Sequence, residues 1–238
     1  MLNSITLGLY NSPGSLIARL INKGTAFFPL NEDKATRFDS IGGFNSEPFP
    51  DATGISSETA LSGKVASFNG SNDEHLRVGT DTVFSLGSNS AFTITAFVRL
   101  DSKGNDSTIV CRAGTGGFDD YILSYRSSAD RFQFWSPATG CKVRADSLGS
   151  PSTGTWYFIH IWYDGTDAHI QAAEAGNFDA ATTGVDTAFG IATSNRSDDV
   201  FAIGAQYLSA NGIGPNDTNG STSMDGDIAM VYIATELL

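Results

Sequence analysis

Hydrophobic and polar residues alternate one by one along much of the chain, which is the pattern of β-strands with one buried face. In residues 92–99, Phe, Ile, Ala and Val stand at every second position. The segment 156–163, WYFIHIWY, alternates in the same way. We expect its Ile-bearing positions to face a second sheet, which leaves His160 and Trp162 on the opposite face.

Segments of this kind follow one another from residue 26 onward, and turn residues separate them without any intervening helical pattern. They are KVASFNG, HLRVG, AFTITAFVRLD, STIVCRAG, YILSYRSSADRFQFWS, KVRAD, WYFIHIWYDG, AHIQAAEAG, VFAIGAQ and DIAMVYIAT. The turn at 127–130 predicts a hairpin. Segments 37–59 and 209–223 are rich in turn residues and predict irregular loops. The whole pattern predicts an all-β sandwich of two antiparallel sheets over residues 26–238.

The first 25 residues differ from the rest of the chain, because their apolar positions have helical rather than strand spacing. A short amphipathic helix is predicted there, ended by Gly24, with its apolar face made by Leu16, Ile17, Leu20 and Ile21. Two interpretations stay open for this N-terminal arm. It either packs on its own domain or anchors the chain in a neighbouring subunit.

The charge balance limits the possible partners. The chain carries 14 basic and 26 acidic residues, for a formal net charge of -12, which repels phosphate backbones and anionic lipid surfaces. We therefore expect neither nucleic acid nor a membrane as a partner. The N-terminus lacks the basic start and continuous apolar block of an export signal. Cys111 and Cys141 are too few for a disulfide scaffold, and we expect two free, half-buried thiols. The alternative, in which the two meet, requires that their strands are neighbours.

Five motifs, taken in chain order, resemble a laminin-G-like jelly roll of the concanavalin A-like lectin and glucanase superfamily. They are FFPLNEDKATRFDSIGG, ALSGKVASFNGSNDEHLRV, AFTITAFVRLD, GTWYFIHIWYDG and MDGDIAMVYIATELL. No single motif is specific, but the ordered set is. The resemblance implies two antiparallel sheets packed face to face, with the last strand beside the first and GTWYFIHIWYDG as a central strand.

The resemblance also implies a structural Ca²⁺ where the first and last strands meet. Carried over to this sequence, its ligands would be Asp227, Asp39 and Gly42, with Ser40 nearby. Ca²⁺ needs about 6–8 oxygen ligands, so carbonyls and waters would complete the shell. The position of Asp227 departs from the family pattern, in which the Asp follows the Ile. The alternative is that these Asp residues only cap turns.

Catalysis is not expected, although glucanases share this fold. Glycoside hydrolysis needs two carboxylates across a cleft, and these enzymes carry them as Glu-x-Asp-x-x-Glu on one strand. The chain contains no such cluster, since Glu174 stands alone and Asp225 and Asp227 belong to a short DGD segment. We therefore predict a non-enzymatic protein.

Sugar binding would use aromatic side chains with hydrogen-bonding neighbours. The candidate residues are Trp162, Trp135, Tyr121, Tyr125 and Tyr207. For each of them the competing interpretation is a place in the core, because sandwich cores also use many aromatic residues.

The short sequences FNGSN and PSTGTWY are similar to segments of bacteriophage proteins. This similarity implies that the protein is part of a viral particle. We therefore expect a virion-associated decoration, fibre or tail protein whose partners are other virion proteins or identical subunits, with glycans as further candidate ligands. The alternative is a secreted or extracellular carbohydrate-binding module. A divergent polysaccharide-active enzyme is the third interpretation.

Overall fold

The computed structural model describes residues 24–32, 36–49, 56–60, 63–71, 74–79, 82–86, 91–113, 120–136, 140–177, 182–186, 199–205 and 222–237. The predicted arm, with Leu16, Ile17, Leu20 and Ile21, lies outside these residues, as does Tyr207. Two short 3₁₀ helices, Thr82–Phe84 and Asp146–Leu148, are described. Among the described residues no helix could span a bilayer.

Fifteen strands make up the rest of the regular structure in the described residues. In chain order they are β1 (Ala26–Phe28), β2 (Glu47–Phe49), β3 (Ser56–Ala60), β4 (Gly63–Phe68), β5 (His75–Gly79), β6 (Phe92–Leu100), β7 (Ser107–Ala113), β8 (Tyr121–Arg126), β9 (Arg131–Ser136), β10 (Cys141–Arg144), β11 (Trp156–Tyr163), β12 (Ala168–Glu174), β13 (Thr182–Asp186), β14 (Val200–Ile203) and β15 (Gly226–Ala234).

The strands form two antiparallel sheets, which confirms the predicted sandwich. Sheet I has eight strands in the order β13, β12, β11, β6, β15, β4 and β3, with β1 also paired to β15. Sheet II has seven strands in the order β10, β9, β8, β7, β14, β5 and β2. The first and last strands are neighbours, and the GTWYFIHIWYDG strand lies inside sheet I, as the resemblance implied.

β15 serves two partners along one edge. Its residues Gly226–Ile228 pair with β4, and Val231–Ile233 pair with β1. Between them the register shifts at a bulge, where Met230 has a φ of 59°. A bulge increases the local twist and bends the strand, so one long strand can serve two short strands that follow each other.

The core lies between the sheets and is rich in aromatic rings. In β11 every second residue is buried, beginning with Tyr157, which confirms the predicted alternation. Rings from the two sheets are in contact. The ring centroids of Phe92 on β6 and Phe134 on β9 are 5.5 Å apart, and those of Phe132 on β9 and Tyr157 on β11 are 5.4 Å apart. Such pairs add about 0.5–1.5 kcal/mol beyond area burial.

One charged cluster is buried at an end of the core. The Arg112 guanidinium, fully buried on β7, contacts the Asp120 carboxylate and lies 3.0 Å from Asp199 Oδ2. Buried charges are tolerated only when paired and hydrogen-bonded. The cluster joins the starts of β8 and β14 to β7, the strand that lies between them in sheet II.

The β8–β9 turn forms the predicted hairpin over 127–130, and its last residue links three segments. Asp130 has a φ of 54°, which is uncommon for a residue other than glycine. Its Oδ1 accepts hydrogen bonds from Lys103 Nζ at 2.9 Å and Tyr125 Oη at 2.8 Å. Hydrogen bonds, that from Lys103 foremost, hold the pKa of the Asp130 carboxyl well below its usual range.

The prediction of an irregular loop over 37–59 is wrong in part, because β2 and the larger part of β3 fall within it. Both are short strands at sheet edges, and within the described part of the chain β2 pairs only with β5 and β3 only with β4. The sequence of β3, SSETA, has no apolar face. Only the last two residues of the other predicted loop, 209–223, are described.

The two cysteines lie on different strands of sheet II. Cys111 on β7 forms no disulfide and is fully buried, and its Sγ donates a hydrogen bond to the Ala205 carbonyl at 3.2 Å. Cys141 is on β10, and β8 and β9 lie between the two strands. Three strand spacings of about 4.8 Å exceed the Cα separation of about 7 Å that a disulfide permits. The structure therefore does not pair them.

Candidate functional site

The outer face of sheet I, which is the face turned away from sheet II, carries a line of rings along β11. Trp156, Phe158, His160 and Trp162 alternate with the buried residues of this strand, and all four are half-buried. His160 and Trp162 therefore lie on the face that the alternation predicted. Neighbouring rings are in contact, with centroids 6.3 Å apart for Phe158 and His160 and 5.2 Å apart for His160 and Trp162.

A shallow pocket of about 230 Å³ opens at the Trp162 end of this line. We call it the Trp162 pocket, and its lining residues are Thr93, His160, Trp162, Gln171 and Leu237. The strand register explains the grouping, because Trp162 lies opposite Thr93 on β6 and opposite His169 on β12, while Gln171 lies opposite His160. Three neighbouring strands thus build the floor of the pocket.

The two sides of the Trp162 ring have different neighbours. The His169 ring stacks on the indole at 4.6 Å with an interplanar angle of 4°, so this face is covered. Thr93, opposite Trp162 on β6, lines the pocket together with the indole. The ring is thereby fixed in orientation and still borders an open space.

The segment after β15 supplies a wall of the pocket. Thr93 Oγ1 donates a hydrogen bond to the Glu236 carbonyl at 3.0 Å. This bond holds the segment at the edge of the pocket, where the Leu237 side chain, 40% exposed, lines it. The pocket therefore has an apolar wall as well as an aromatic one.

His160 is a neutral polar group in this setting. Burial lowers its pKa from 6.5 to about 4, and its Nδ1 shares a hydrogen bond of 2.9 Å with Thr95 Oγ1. Because a neutral imidazole has one donor and one acceptor nitrogen, the Thr95 bond leaves a second nitrogen for other partners. The Gln171 amide adds donors and an acceptor, and it has no hydrogen-bond partner among the described residues.

This combination suits a ligand that has both an apolar patch and hydroxyl groups. Small-molecule sites in proteins place a few convergent polar groups among apolar and aromatic walls, and the Trp162 pocket has both kinds of wall group. The lining residues that the structure describes include no carboxylate. The pair of acids that glycoside hydrolysis requires is therefore not part of this pocket.

Two of the predicted sugar-binding residues are wrong, since they belong to the core. Tyr121 and Tyr125 point between the sheets and are 0% and 1% exposed. The Tyr121 hydroxyl donates to the Phe84 carbonyl at 3.0 Å, and the Tyr125 hydroxyl donates to Asp130. Each tyrosine hydroxyl finds a hydrogen-bond acceptor within the fold. Alternation along β8 places both rings on the side of the strand that faces sheet I.

Trp135 lies on the outer face of the opposite sheet. It is half-buried on β9 of sheet II, opposite Lys142 of β10. The Arg126 guanidinium lies 5.5 Å from the centroid of its ring, a distance that permits a cation–π contact. The predicted sugar residues Trp135 and Trp162 are thus on opposite outer faces of the sandwich and are not brought together.

The Asp39 carboxylate organises the loop around it by accepting hydrogen bonds from backbone N–H groups. Its Oδ1 accepts hydrogen bonds from the N–H groups of Phe27 and Ile41 at 2.8 and 2.9 Å. Its Oδ2 accepts from Gly42 and Phe44 at 2.8 and 3.1 Å. Four N–H donors thus surround the two oxygens, one of them from Gly42, so both oxygens of Asp39 already have hydrogen-bond partners.

Asp227 is engaged elsewhere. It is fully buried on β15, and its Oδ2 lies 2.5 Å from Arg99 Nη2. Tyr232, the β15 residue opposite Phe27, is five positions further along, or roughly 17 Å at the usual rise of a strand. Asp227 and Asp39 are therefore not brought together, and no acidic cluster that could hold a metal ion occurs among the described residues. These residues do not fit the predicted Ca²⁺.

Sequence reasoning missed most of the pocket around Trp162. Thr93, Gln171 and Leu237 come from three separate segments, and only the strand register brings them together. Alternation does put Thr93 and Trp162 on outer positions of β6 and β11. Without the knowledge that these strands are neighbours, that signal could not be used.

Comparisons with known proteins agree with this architecture. Residues 69–238 match the laminin G family of the concanavalin A-like lectin/glucanases superfamily. No curated protein matches the chain by sequence. Among solved structures, domain 4 of AbnA, a GH43 extracellular arabinanase from Geobacillus stearothermophilus, in complex with arabinotriose, is similar with a TM-score of 0.61 and 17% identity, over 89% of this chain and 92% of that one.

Two further structures are similar over less of their own length. The binding domain of Paraclostridial Mosquitocidal Protein 1 has a TM-score of 0.59 and 14% identity, over 92% of this chain and 50% of that one. Trypanosoma rangeli sialidase in complex with 2,3-difluoro-KDN has a TM-score of 0.54 and 16% identity, over 90% of this chain and 30% of that one. At such identities the likeness concerns the fold alone. The family match spans well over half of the sequence, and the chain therefore belongs to the concanavalin A-like lectin/glucanases superfamily.

Proposed function

We propose that the protein is a non-enzymatic carbohydrate-binding module that holds its glycan at the Trp162 pocket. One observation carries the proposal. At this pocket the Trp162 indole, fixed by the His169 stack, borders an open space that is also lined by neutral polar groups. Sugars combine C–H faces that pack on aromatic rings with hydroxyls that need such groups.

The fold comparisons support a binding role more than a catalytic one. The similar arabinanase domain is in complex with arabinotriose, and the similar region of the mosquitocidal protein is its binding domain. The chain spans less than a third of the sialidase, so that enzyme's activity is no guide to this chain. The described lining residues include no Asp or Glu, which adds to the case against hydrolysis there.

Replacing Trp162 should abolish most of the binding. We expect Trp162→Ala to weaken the affinity for the best glycan by at least about tenfold, because truncating a central aromatic side chain typically costs 2 kcal/mol or more. Isothermal titration calorimetry on glycans selected by an array measures this directly. The matched control is Trp135→Ala, which removes a half-buried Trp from the other sheet and should leave the affinity unchanged.

The results divide cleanly between the functions considered. Equal losses in the Trp162→Ala and Trp135→Ala variants would contradict a site at this pocket. An array with no glycan bound would contradict the carbohydrate-binding function itself. The polysaccharide-active enzyme would be favoured instead if the protein released reducing ends from a polysaccharide and if replacing an acidic residue abolished that release.

We propose in addition that the module works as a decoration, fibre or tail-associated part of a viral particle, attached through residues 1–25. The support is the similarity of FNGSN and PSTGTWY to bacteriophage proteins, together with the helical apolar spacing of Leu16, Ile17, Leu20 and Ile21. A free extracellular module is the alternative location.

Attachment and binding are separable in an experiment. We expect mass spectrometry of purified viral particles to detect the chain, and deletion of residues 1–25 to prevent its incorporation while leaving glycan affinity intact. Replacing Leu16 and Leu20 together by Ser tests the apolar face alone. A truncated chain that still joins the particle would contradict the anchor, and particles without the chain would contradict the virion role.

A further inference from the structure

The line of rings on sheet I extends well beyond the Trp162 pocket. Trp156, Phe158, His160 and Trp162 follow each other at every second position of β11, and we call these four residues the β11 row. From Trp156 to Trp162 the row runs for six residues, or roughly 20 Å at the rise of a strand. The Trp162 pocket occupies only one end of that length.

One ring and one guanidinium from β6 widen the row at its far end. Phe97, opposite Phe158 in the register, lies 5.1 Å from it between ring centroids. Arg99 lies opposite Trp156, with its guanidinium 5.8 Å from the centroid of that ring. All of these side chains are half-buried, so each presents part of its surface to solvent.

Polar groups flank the rings at intervals. Thr95 and Gln171 lie on either side of His160, in the middle of the row. The charge of Arg99 at the far end is balanced by two carboxylates. Its Nη2 lies 2.5 Å from Asp227 Oδ2, and its Nε lies 3.4 Å from Asp101 Oδ1. The row therefore offers apolar rings and neutral hydrogen-bonding groups, and Arg99 beside its far end is paired. The exposed acidic residue Glu174 lies at the end of β12, opposite Tyr157.

The dimensions favour a narrow occupant over a second copy of the chain. A strip about 20 Å long and two strand spacings, about 10 Å, wide covers on the order of 200 Å². A stable protein interface buries about 800 Å² on each partner. The outer side of β15 beside the strip is already covered, since Tyr232 and Ala234 are buried in a cluster with Phe27 that Ile41 packs against.

From this geometry we infer that the whole β11 row is one extended site, which binds an internal stretch of a neutral, linear polysaccharide. The inference rests on the proposed carbohydrate-binding function and names its ligand class. The Trp162 pocket holds one sugar, and Trp156 supplies a second, remote contact that only a longer chain reaches. The compensated charges give no group that selects a uronic acid or a sialic acid.

The test is chain-length dependence. Ladders of arabino-, xylo- and cello-oligosaccharides, from monosaccharide to hexasaccharide, would be titrated calorimetrically into the full chain. We expect wild-type affinity to rise with length, until the hexasaccharide binds at least about tenfold more tightly than the disaccharide. Trp156→Ala should remove that gain and leave disaccharide affinity unchanged, whereas Trp162→Ala should weaken binding at every length.

Each other outcome is informative. Unchanged disaccharide binding in the Trp156→Ala variant shows that it folds, and its unfolding curve provides a second check. Hexasaccharide affinity that Trp156→Ala does not alter would overturn the extended site and leave the pocket at Trp162 standing. Preference for acidic ladders such as oligogalacturonates would overturn the neutral class. Wild-type dimers that Trp156→Ala dissociates in sedimentation experiments would assign the row to self-association instead.

Discussion

Asp39→Ala should lower the free energy of unfolding more than any surface change in this protein. The substitution removes the acceptor of four backbone N–H groups, from Phe27, Ile41, Gly42 and Phe44. Each buried donor left unsatisfied costs about 1–3 kcal/mol, and water can reach some of these four, so we expect a loss of about 3–5 kcal/mol in total. Urea denaturation followed by tryptophan fluorescence would measure it.

The controls separate loop organisation from charge and from metal binding. Asp39→Asn keeps one acceptor oxygen and should cost less than Asp39→Ala. Asp101→Ala removes an exposed partner of Arg99 and should cost about 1 kcal/mol or less. Because the Asp39 oxygens are surrounded by donors, Ca²⁺ and chelator should give the same wild-type unfolding curve. A calcium-dependent stability that Asp39→Ala removes would contradict this account of the loop.

The stability of the fold should decline on mild acidification because of His160. Burial lowers its pKa from 6.5 to about 4, so the unfolded chain binds a proton in this range that the folded chain does not. Stability from the neutral imidazole is complete above pH 6.5 and is lost as the pH falls toward 4. The shift corresponds to a loss on the order of 3 kcal/mol across that window.

His160→Gln provides the comparison, because glutamine keeps a polar group beside Thr95 and does not titrate. We expect the difference in unfolding free energy between wild type and variant to shift in favour of the variant as the pH falls from 6.5 to 4. An NMR titration of the His160 ring should independently give a pKa near 4. A ring that titrates near 6.5 in the folded protein would contradict the prediction.

The fold was accessible from the sequence because its strongest signals are local. Alternation in 92–99 and 156–163 indicated which side chains face the opposite sheet, and the order of five motifs indicated the superfamily. The strand β3 was not predicted, because an edge strand with the sequence SSETA has no apolar face and takes its conformation from pairing with β4. Its state is decided by a partner, which a single segment of sequence does not reveal.

The candidate site was much less predictable, since it depends on register and on hydrogen bonding between distant residues. Trp162 was found from its outer position on β11, but the same reasoning offered Tyr121 and Tyr125, whose hydroxyls are satisfied inside the fold. Asp39 matched a calcium motif by residue type. Only the structure shows that four backbone N–H groups of this chain point at its carboxylate. Residue type suggested the chemistry, and geometry decided it.

The pairing of β1 with β15 has a consequence for how the chain folds. Ala26 lies opposite Ile233, so sheet I joins positions separated by about two hundred residues, and β15 also lies between β6 and β4. Contacts so distant in sequence slow folding, because the loop they close must lose its entropy first. During synthesis, β4 and β6 each keep one edge unpaired until β15 has been made. An unpaired strand edge can associate with a strand of another molecule.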